Sequence, residues 1–411
     1  MKHDDIFRIA PHLAGAAKGE LEAMGAKAFD LARMARSGLP VPPAFVLGTR
    51  HCRRWYREPE RSRKGLAGLL EEQLRWLQSV TELGFGDSRK PLLVSVRSGA
   101  PLSMPGMMDT LLNVGLCDAT VHGLLRITGN PRLVWDSNCR LIRSFAEVVF
   151  GASPQPFAVA LDALLLRERV NRFQELDYLS LTELTQIYLK IFIDLTGQAF
   201  PQNPLQQLEL AVQAVFTSWN SPRAAEYRRL HAIPEDLYTA VTIQRMVFGN
   251  AGGTCGAGVG FTRDPDSGEK RIYFDFLFNS QGEDVVSGRA TWSDTERLFT
   301  ALPETRPELQ AICSALEKEF RDAQEFEFTI QDGVLYLLQT RSAKRTPWAA
   351  LRIAVEQAGE GLIEKSEALA RLDGLALDNI MRCSLSLDDQ QPLCQGAAGR
   401  YRRGRRSAGI R

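Results

Sequence analysis

Val94-Ser-Val-Arg-Ser-Gly-Ala-Pro-Leu-Ser-Met-Pro-Gly-Met-Met-Asp-Thr110 is the stretch on which the reading of this chain turns. Leu92 to Val96 has the pattern of a short buried strand, and it delivers Arg97 straight into a loop of Ser, Gly, Pro and Met. A guanidinium is always charged, and at the mouth of a Gly-rich loop it can grip phosphate oxygens. The plainer alternative is a strand that ends in a turn with a solvated arginine. The Met-Pro-Gly-Met-Met run favours the first reading. It is too apolar for an ordinary surface turn and suits a lip against a flat apolar group such as a purine.

Upstream, Met24 to Gly38 reads as a helix with a Ser-Gly stop; Leu39-Pro-Val-Pro-Pro43 ends it, and Ala44 to Leu47 forms a short strand. His51 to Leu83 is charged and Leu-periodic, the pattern of exposed helix. From Ala119 to Phe200 helical periodicity dominates, with Ser180-Leu-Thr-Glu183 read as a capping box, and a further helix covers Leu205 to Trp219. Strand character then runs from Thr239 to Thr340, with Gln331-Asp-Gly333 as a hairpin turn. Helices follow at Trp348–Gln357 and Glu364–Leu372. The pattern is that of an α+β protein in which a helical insertion separates two mixed lobes.

Bulk properties narrow the function. The chain has 411 residues, enough for two or three lobes, and a net charge of +1. Six arginines and no acid fall within Arg400–Arg411, so the remainder carries −5, which argues against a nucleic-acid groove over most of the surface. The seven cysteines (52, 117, 139, 255, 313, 383 and 394) show no Cys-x-x-Cys spacing. With no apolar leader and no membrane-length segment, the expectation is a cytoplasmic protein without disulfides or structural zinc.

Three further stretches carry possible chemistry. Lys27 stands one turn into a helix after Gly25, where the helix dipole does not favour a cation; it is either solvated or holds an anion. Gly249 to Arg263 carries glycines at 249, 252, 253, 256 and 258, read as a mobile hairpin whose backbone amides fold over polyphosphate, or as a flexible turn without a ligand. In Glu325-Phe-Glu-Phe-Thr-Ile-Gln-Asp-Gly-Val-Leu-Tyr-Leu-Leu-Gln-Thr-Arg341, alternation places Glu325, Glu327 and Thr329 on one face, and Gln339 and Arg341 together on the return strand. Two carboxylates, an amide oxygen and a guanidinium suit Mg²⁺–phosphate chemistry; the polar outer face of a sheet is the alternative. Asn279-Ser-Gln-Gly-Glu-Asp284 is a polar turn with two adjacent acids.

Taken in order, these blocks resemble the nucleotide-binding region of the pyruvate, phosphate dikinase family over residues 20–385. Gly129-Asn-Pro-Arg with Asp136-Ser137, Ser218-Trp-Asn-Ser-Pro-Arg223, Gln244-Arg-Met-Val-Phe-Gly-Asn250, Phe261-Thr-Arg-Asp-Pro, Gln281-Gly-Glu-Asp-Val-Val286 and Leu338-Gln-Thr-Arg341 share in it. The resemblance implies an ATP-grasp-like two-lobed nucleotide-binding fold. Its expected parts are a first lobe (1–115 with 203–247), a helical insertion (116–202), a second lobe (248–346), a helical linker (347–385) and a basic disordered tail (386–411). It implies Mg-ATP as the bound species, with phosphoryl transfer to a histidine on a separate domain, supplied in trans if at all. Carried over residue by residue, Lys27 and Arg97 hold ATP phosphates, and Arg341 stabilises the transferring group. Met108, Gln244 and Met246 border the adenine, and Gly256 and Gly258 belong to the lid. Glu283 and Asp284 lie on the metal or ribose side, while Glu327, Gln339 and Glu325 organise Mg²⁺.

The chain departs from the family pattern in several places. Gly25-Ala-Lys-Ala28 replaces a Gly-Gly-Lys-Gly, and Cys255-Gly-Ala-Gly-Val259 replaces a Ser-Gly-Thr-Gly-Val. Glu325 stands for an aspartate. The family's Thr-Ser-His segment and pyruvate barrel do not occur. These departures lead to the expectation of a truncated domain that is not self-sufficient, with a non-catalytic nucleotide-binding remnant or interaction protein as the alternative.

Overall fold

The computed structural model describes residues 5–11, 20–102, 104, 110–282, 285, 292–373 and 375. Met108, Glu283, Asp284 and the basic tail therefore lie outside the described residues. The strands, in chain order, are β1 (Ile6–Ile9), β2 (Ala44–Leu47), β3 (Gly84–Phe85), β4 (Pro91–Leu92), β5 (Val94–Gly99), β6 (Thr110–Val114), β7 (Ala240–Arg245), β8 (Gly256–Phe261), β9 (Tyr273–Phe278), β10 (Gln324–Gln331) and β11 (Val334–Ser342).

Two antiparallel sheets result, in the orders β1-β2-β7-β5-β6 and β11-β10-β8-β9, so each lobe is built on its own sheet. This is the mixed two-lobed α+β architecture of ATP-grasp type. The first sheet packs one face against the helices between β6 and β7. A single buried cluster runs from Phe45, Val94, Val96 and Leu111 through Leu133, Phe145, Phe192 and Trp219, so the helical insertion has no core separate from that sheet. A second cluster joins the helix Ala26–Arg36 to β2, β9, β10 and β11 and so ties the two lobes together through apolar contact.

Local chemistry accounts for most boundaries. Four helices begin with proline in the first turn after a capping side chain: Pro131–Phe150 after Asn130, Pro204–Ser218 after Asn203, Pro222–Leu230 after Ser221 and Pro347–Gly359 after Thr346. The expected capping box at Ser180–Glu183 is displaced. The helix Tyr178–Thr196 starts at Asp177, whose carboxylate accepts the Ser180 amide at 2.8 Å, and Glu183 pairs instead with Arg167. Aspartate caps as well as serine does, and here it stands three residues earlier.

The glycine-rich segment also differs from expectation. Gly256 and Gly258 are not in a mobile hairpin but in β8, hydrogen-bonded between β10 and β9. Aromatic rings occupy the space of the absent side chains: a Cβ on Gly258 would lie 2.4 Å from the Phe328 ring, and one on Gly256 would lie 2.1 Å from that of Phe276. These glycines serve close packing within the sheet. Among the described residues no helix is long and apolar enough to cross a membrane, and five described cysteines are free and buried.

Candidate functional site

A cavity of about 250 Å³ opens between the two sheets. Ser95, Arg97, Thr110 and Leu112 form its first-sheet wall, and Glu327, Thr329 and Leu338 form the opposite wall. Gln244 to Val247, Gly249, Gln281 and Gly282 close its end. Strand alternation explains the first wall. In β5 and β6, Ser95, Arg97, Thr110 and Leu112 share a face, while Val94, Val96 and Leu111 point into the helical core.

Arg97 spans the cavity. Its guanidinium donates to the Leu338 carbonyl at 3.3 Å and to Gln339 Oε1 at 3.1 Å, and lies 3.7 Å from Glu327 Oε2. A register shift makes this possible. Glu327 pairs with Gln339 but Phe328 with Leu337, so Leu338 is the extra residue of a bulge whose carbonyl is left free for Arg97. One cation from the first lobe is thus lodged among three oxygens of the second.

Lys27 reaches the same place by another route. Gly25 has φ +75°, and a Cβ there would lie 1.9 Å from the Gly99 carbonyl oxygen, so only glycine lets this turn close on the end of β5. Ala26 then donates to Ala100 O at 3.0 Å, and the helix Ala26–Arg36 carries Lys27 to the cleft. The side chain meets solvent, yet it is crowded. Desolvation, with the charges of Arg97 and Arg341 set against Glu327, brings its ammonium down from 10.5 to about 8. The alanines at 26 and 28 lie inside the helix, and the one position that needs positive φ is still glycine.

Arg341 is half exposed and donates to Glu325 Oε1 at 2.5 Å, and the register places the two opposite one another. Glu325, and behind it Glu327, hold the Arg341 guanidinium above its ordinary pKa against desolvation. Arg341 is therefore within electrostatic reach of both Lys27 and Glu327. Gln244 is buried, donates to Pro42 O at 3.1 Å and lines the cavity, as does Met246.

The structure thus brings Lys27, Arg97, Glu325, Glu327, Gln339 and Arg341 together with Gln244 and Met246, and it takes Gly256 and Gly258 into the sheet. Sequence reasoning missed Ser95, Thr110 and Arg245 as lining residues. Alternation from Arg97 was the signal for the first; the other two stand inside quoted blocks, Val94–Thr110 and Gln244–Asn250, without being singled out. Among the described residues no cluster of three or more His, Cys, Asp or Glu side chains is arranged to hold a metal. Any metal here would need oxygens from Gln339 or a ligand as well.

A family model described as the pyruvate phosphate dikinase AMP/ATP-binding domain matches residues 62–303. The pyruvate, phosphate dikinase of Rhizobium meliloti (strain 1021) is 43% identical over 383 residues, covering 90% of this chain and 43% of its own length. That of Clostridium symbiosum is 43% identical over 359 residues, covering 87% and 41%. The chloroplastic pyruvate, phosphate dikinase 1 of Arabidopsis thaliana is 42% identical over 364 residues, covering 89% and 38%. A chain matched over more than half its length, on this two-sheet cleft, belongs to the pyruvate phosphate dikinase AMP/ATP-binding domain family. It spans less than half the length of these curated relatives.

Proposed function

We propose that the cleft binds Mg-ATP and that the chain acts as a phosphotransferase domain of pyruvate, phosphate dikinase type. Its acceptor is a histidine on a separate domain, and the phosphoryl group is bound for phosphoenolpyruvate. The observation that supports this most is the meeting of Arg97 with Glu327 and Gln339 across the two sheets. Charges of both signs from distant parts of the chain converge there on one cavity wide enough for a nucleotide's polar portion.

In this reading Met246 and Gln244 border the base; the resemblance adds Met108 near the base and Glu283 and Asp284 on the metal or ribose side, all three outside the described residues. Lys27 and Arg97 bind phosphate oxygens. Glu327 and Gln339 are hard oxygen donors that already accommodate a cation, the Arg97 guanidinium, and so fit Mg²⁺. The metal, when bound, neutralises phosphate charge. Arg341 swings from Glu325 toward the transferring group.

The rival reading, nucleotide binding without transfer, draws on the altered lysine turn, the altered lid and the missing Thr-Ser-His segment. Ala26 and Ala28 sit in regular helix, and Ala257 lies in an apolar patch with Val259 and Val285, so its weight rests on Cys255 and the missing acceptor segment. Equilibrium binding of Mg-ATP, compared between wild type and Arg97→Ala, tests the site. Losing charge-assisted bonds should weaken binding about ten- to a hundredfold, and equal affinities would refute the assignment. Labelled ATP with an added phosphohistidine domain tests the transfer.

A further inference from the structure

The loop from Met246 to Cys255 borders the cleft through Met246, Val247 and Gly249. Its attachments are uneven. Met246 N–H donates to Leu93 O at 2.9 Å in the first lobe. The second lobe holds it at Phe248, whose N–H donates to Gln331 Oε1 at 2.8 Å, at Gly249, whose carbonyl accepts Ser280 N–H at 3.1 Å, and at Cys255, whose carbonyl accepts Asn279 N–H at 2.9 Å. The tip is reached from a third direction. Asn130 Nδ2 donates to Ala251 O at 2.9 Å, a bond across 121 residues.

Asn130 stands between Gly129, the left-handed end of the helix Asp118–Thr128, and Pro131, the first residue of the next helix. Its Oδ1 accepts the Leu133 amide at 3.1 Å, so one amide group caps a helix and holds the loop. The two bonds fix opposite ends of the same planar group. Capping therefore aims the donor at Ala251, and Ala251 packs on the core that the insertion shares with the first sheet.

We infer that Asn130 is a positioning residue, which ties the tip of the glycine loop to the helical insertion and so sets how the loop stands over the cleft. The inference rests on the reading of the cleft as a Mg-ATP site. Aspartate at this position keeps the acceptor for Leu133 and is a good cap, but it replaces the donor with an oxygen facing Ala251 O. Asn130→Asp separates the two roles, and Asn130→Ser, which also retains a capping oxygen, does so without adding charge.

The test measures thermal stability, hydrogen exchange at the Cys255 amide, and Mg-ATP affinity for wild type and both variants. The Cys255 amide reports the loop turn because it donates to Gly252 O at 3.0 Å. The expected result is a thermal midpoint close to wild type, faster exchange at that amide, and Mg-ATP binding about three- to tenfold weaker. Exchange at the wild-type rate in both variants overturns the tether, and faster exchange with unchanged affinity overturns the positioning role. A wild type that does not bind Mg-ATP refutes the cleft reading and the positioning role with it, while exchange still decides whether the tether exists.

Discussion

Two guanidiniums, one from each lobe, face carboxylates of the second lobe, and they do so in opposite manners. Arg263, just past β8, is wholly buried. It donates to Glu317 at 2.9 Å through two nitrogens, to Glu356 at 2.9 Å and to Glu360 at 3.0 Å. Lys270 completes Glu360 and Arg352 completes Glu356, so three cations meet three acids, each pair with at least one bond of 3.0 Å or less. Arg97 is bound more loosely, at 3.1 to 3.7 Å, to one carboxylate, an amide and a carbonyl on the wall of an open cavity. A buried arginine with its charge fully balanced fixes the helices Thr305–Phe320 and Pro347–Gly359 to the second sheet. Loosely held charge beside a cavity can exchange its partners for a ligand.

The comparison breaks most visibly at Arg263. Arg263→Leu leaves Glu317 buried without its cation, and breaking such a pair costs about 3–5 kcal/mol. Denaturant unfolding should register that loss while Mg-ATP affinity, for protein still folded, stays near wild type. Replacing Glu317 by Leu in the same chain should recover part of the stability, since apolar substitution of a whole buried pair is often neutral. A small effect from Arg263→Leu alone would show that the network is not what holds the linker helix in place.

Arg97 should behave in the reverse way. Arg97→Ala removes a long, partly exposed contact, so unfolding free energy should change by no more than about 1 kcal/mol. Its effect should appear in two binding measurements of opposite sign. Nucleotide affinity falls, whereas Mn²⁺ measured without nucleotide binds more tightly, because Glu327 and Gln339 no longer share a guanidinium. If both affinities moved together, Arg97 would not be occupying the cation position.

Much of this contrast was hidden from the sequence for a physical reason. The β10–β11 hairpin was legible because Asp-Gly is a turn pair, here taking the positive φ of +52° and +77° that a two-residue turn requires, and because alternation on β10 is strict. Arg97 was legible because a strand pattern ends on it. The Leu338 bulge was not, since an extra residue leaves no compositional trace. Gly256 and Gly258 read as loop because glycine weakens strands, and only the distant rings of Phe276 and Phe328 reverse that preference. Arg263 sat in a recognised block, but its partners lie 54 to 97 residues further along the chain. The short strand β1 and the Asp177 cap went unread in the same way, one too brief and the other outranked by a neighbouring serine.

The smallest expected effect tests the open end of the comparison through pH. Lys27 titrates near 8 because desolvation and its cationic neighbours disfavour the charged form. A bound triphosphate favours that form and moves the pKa back toward its ordinary value, so binding takes up a proton wherever free Lys27 is neutral. Below pH 8 the ammonium is already present and affinity is flat. As pH rises through 8, binding must first protonate the amine, and affinity declines by about tenfold between pH 7 and 9. Calorimetry in buffers of different ionisation enthalpy would count the proton directly. Lys27→Arg, charged throughout, should bind with no such slope, and a wild-type profile as flat as the arginine variant's would place Lys27 away from the phosphates.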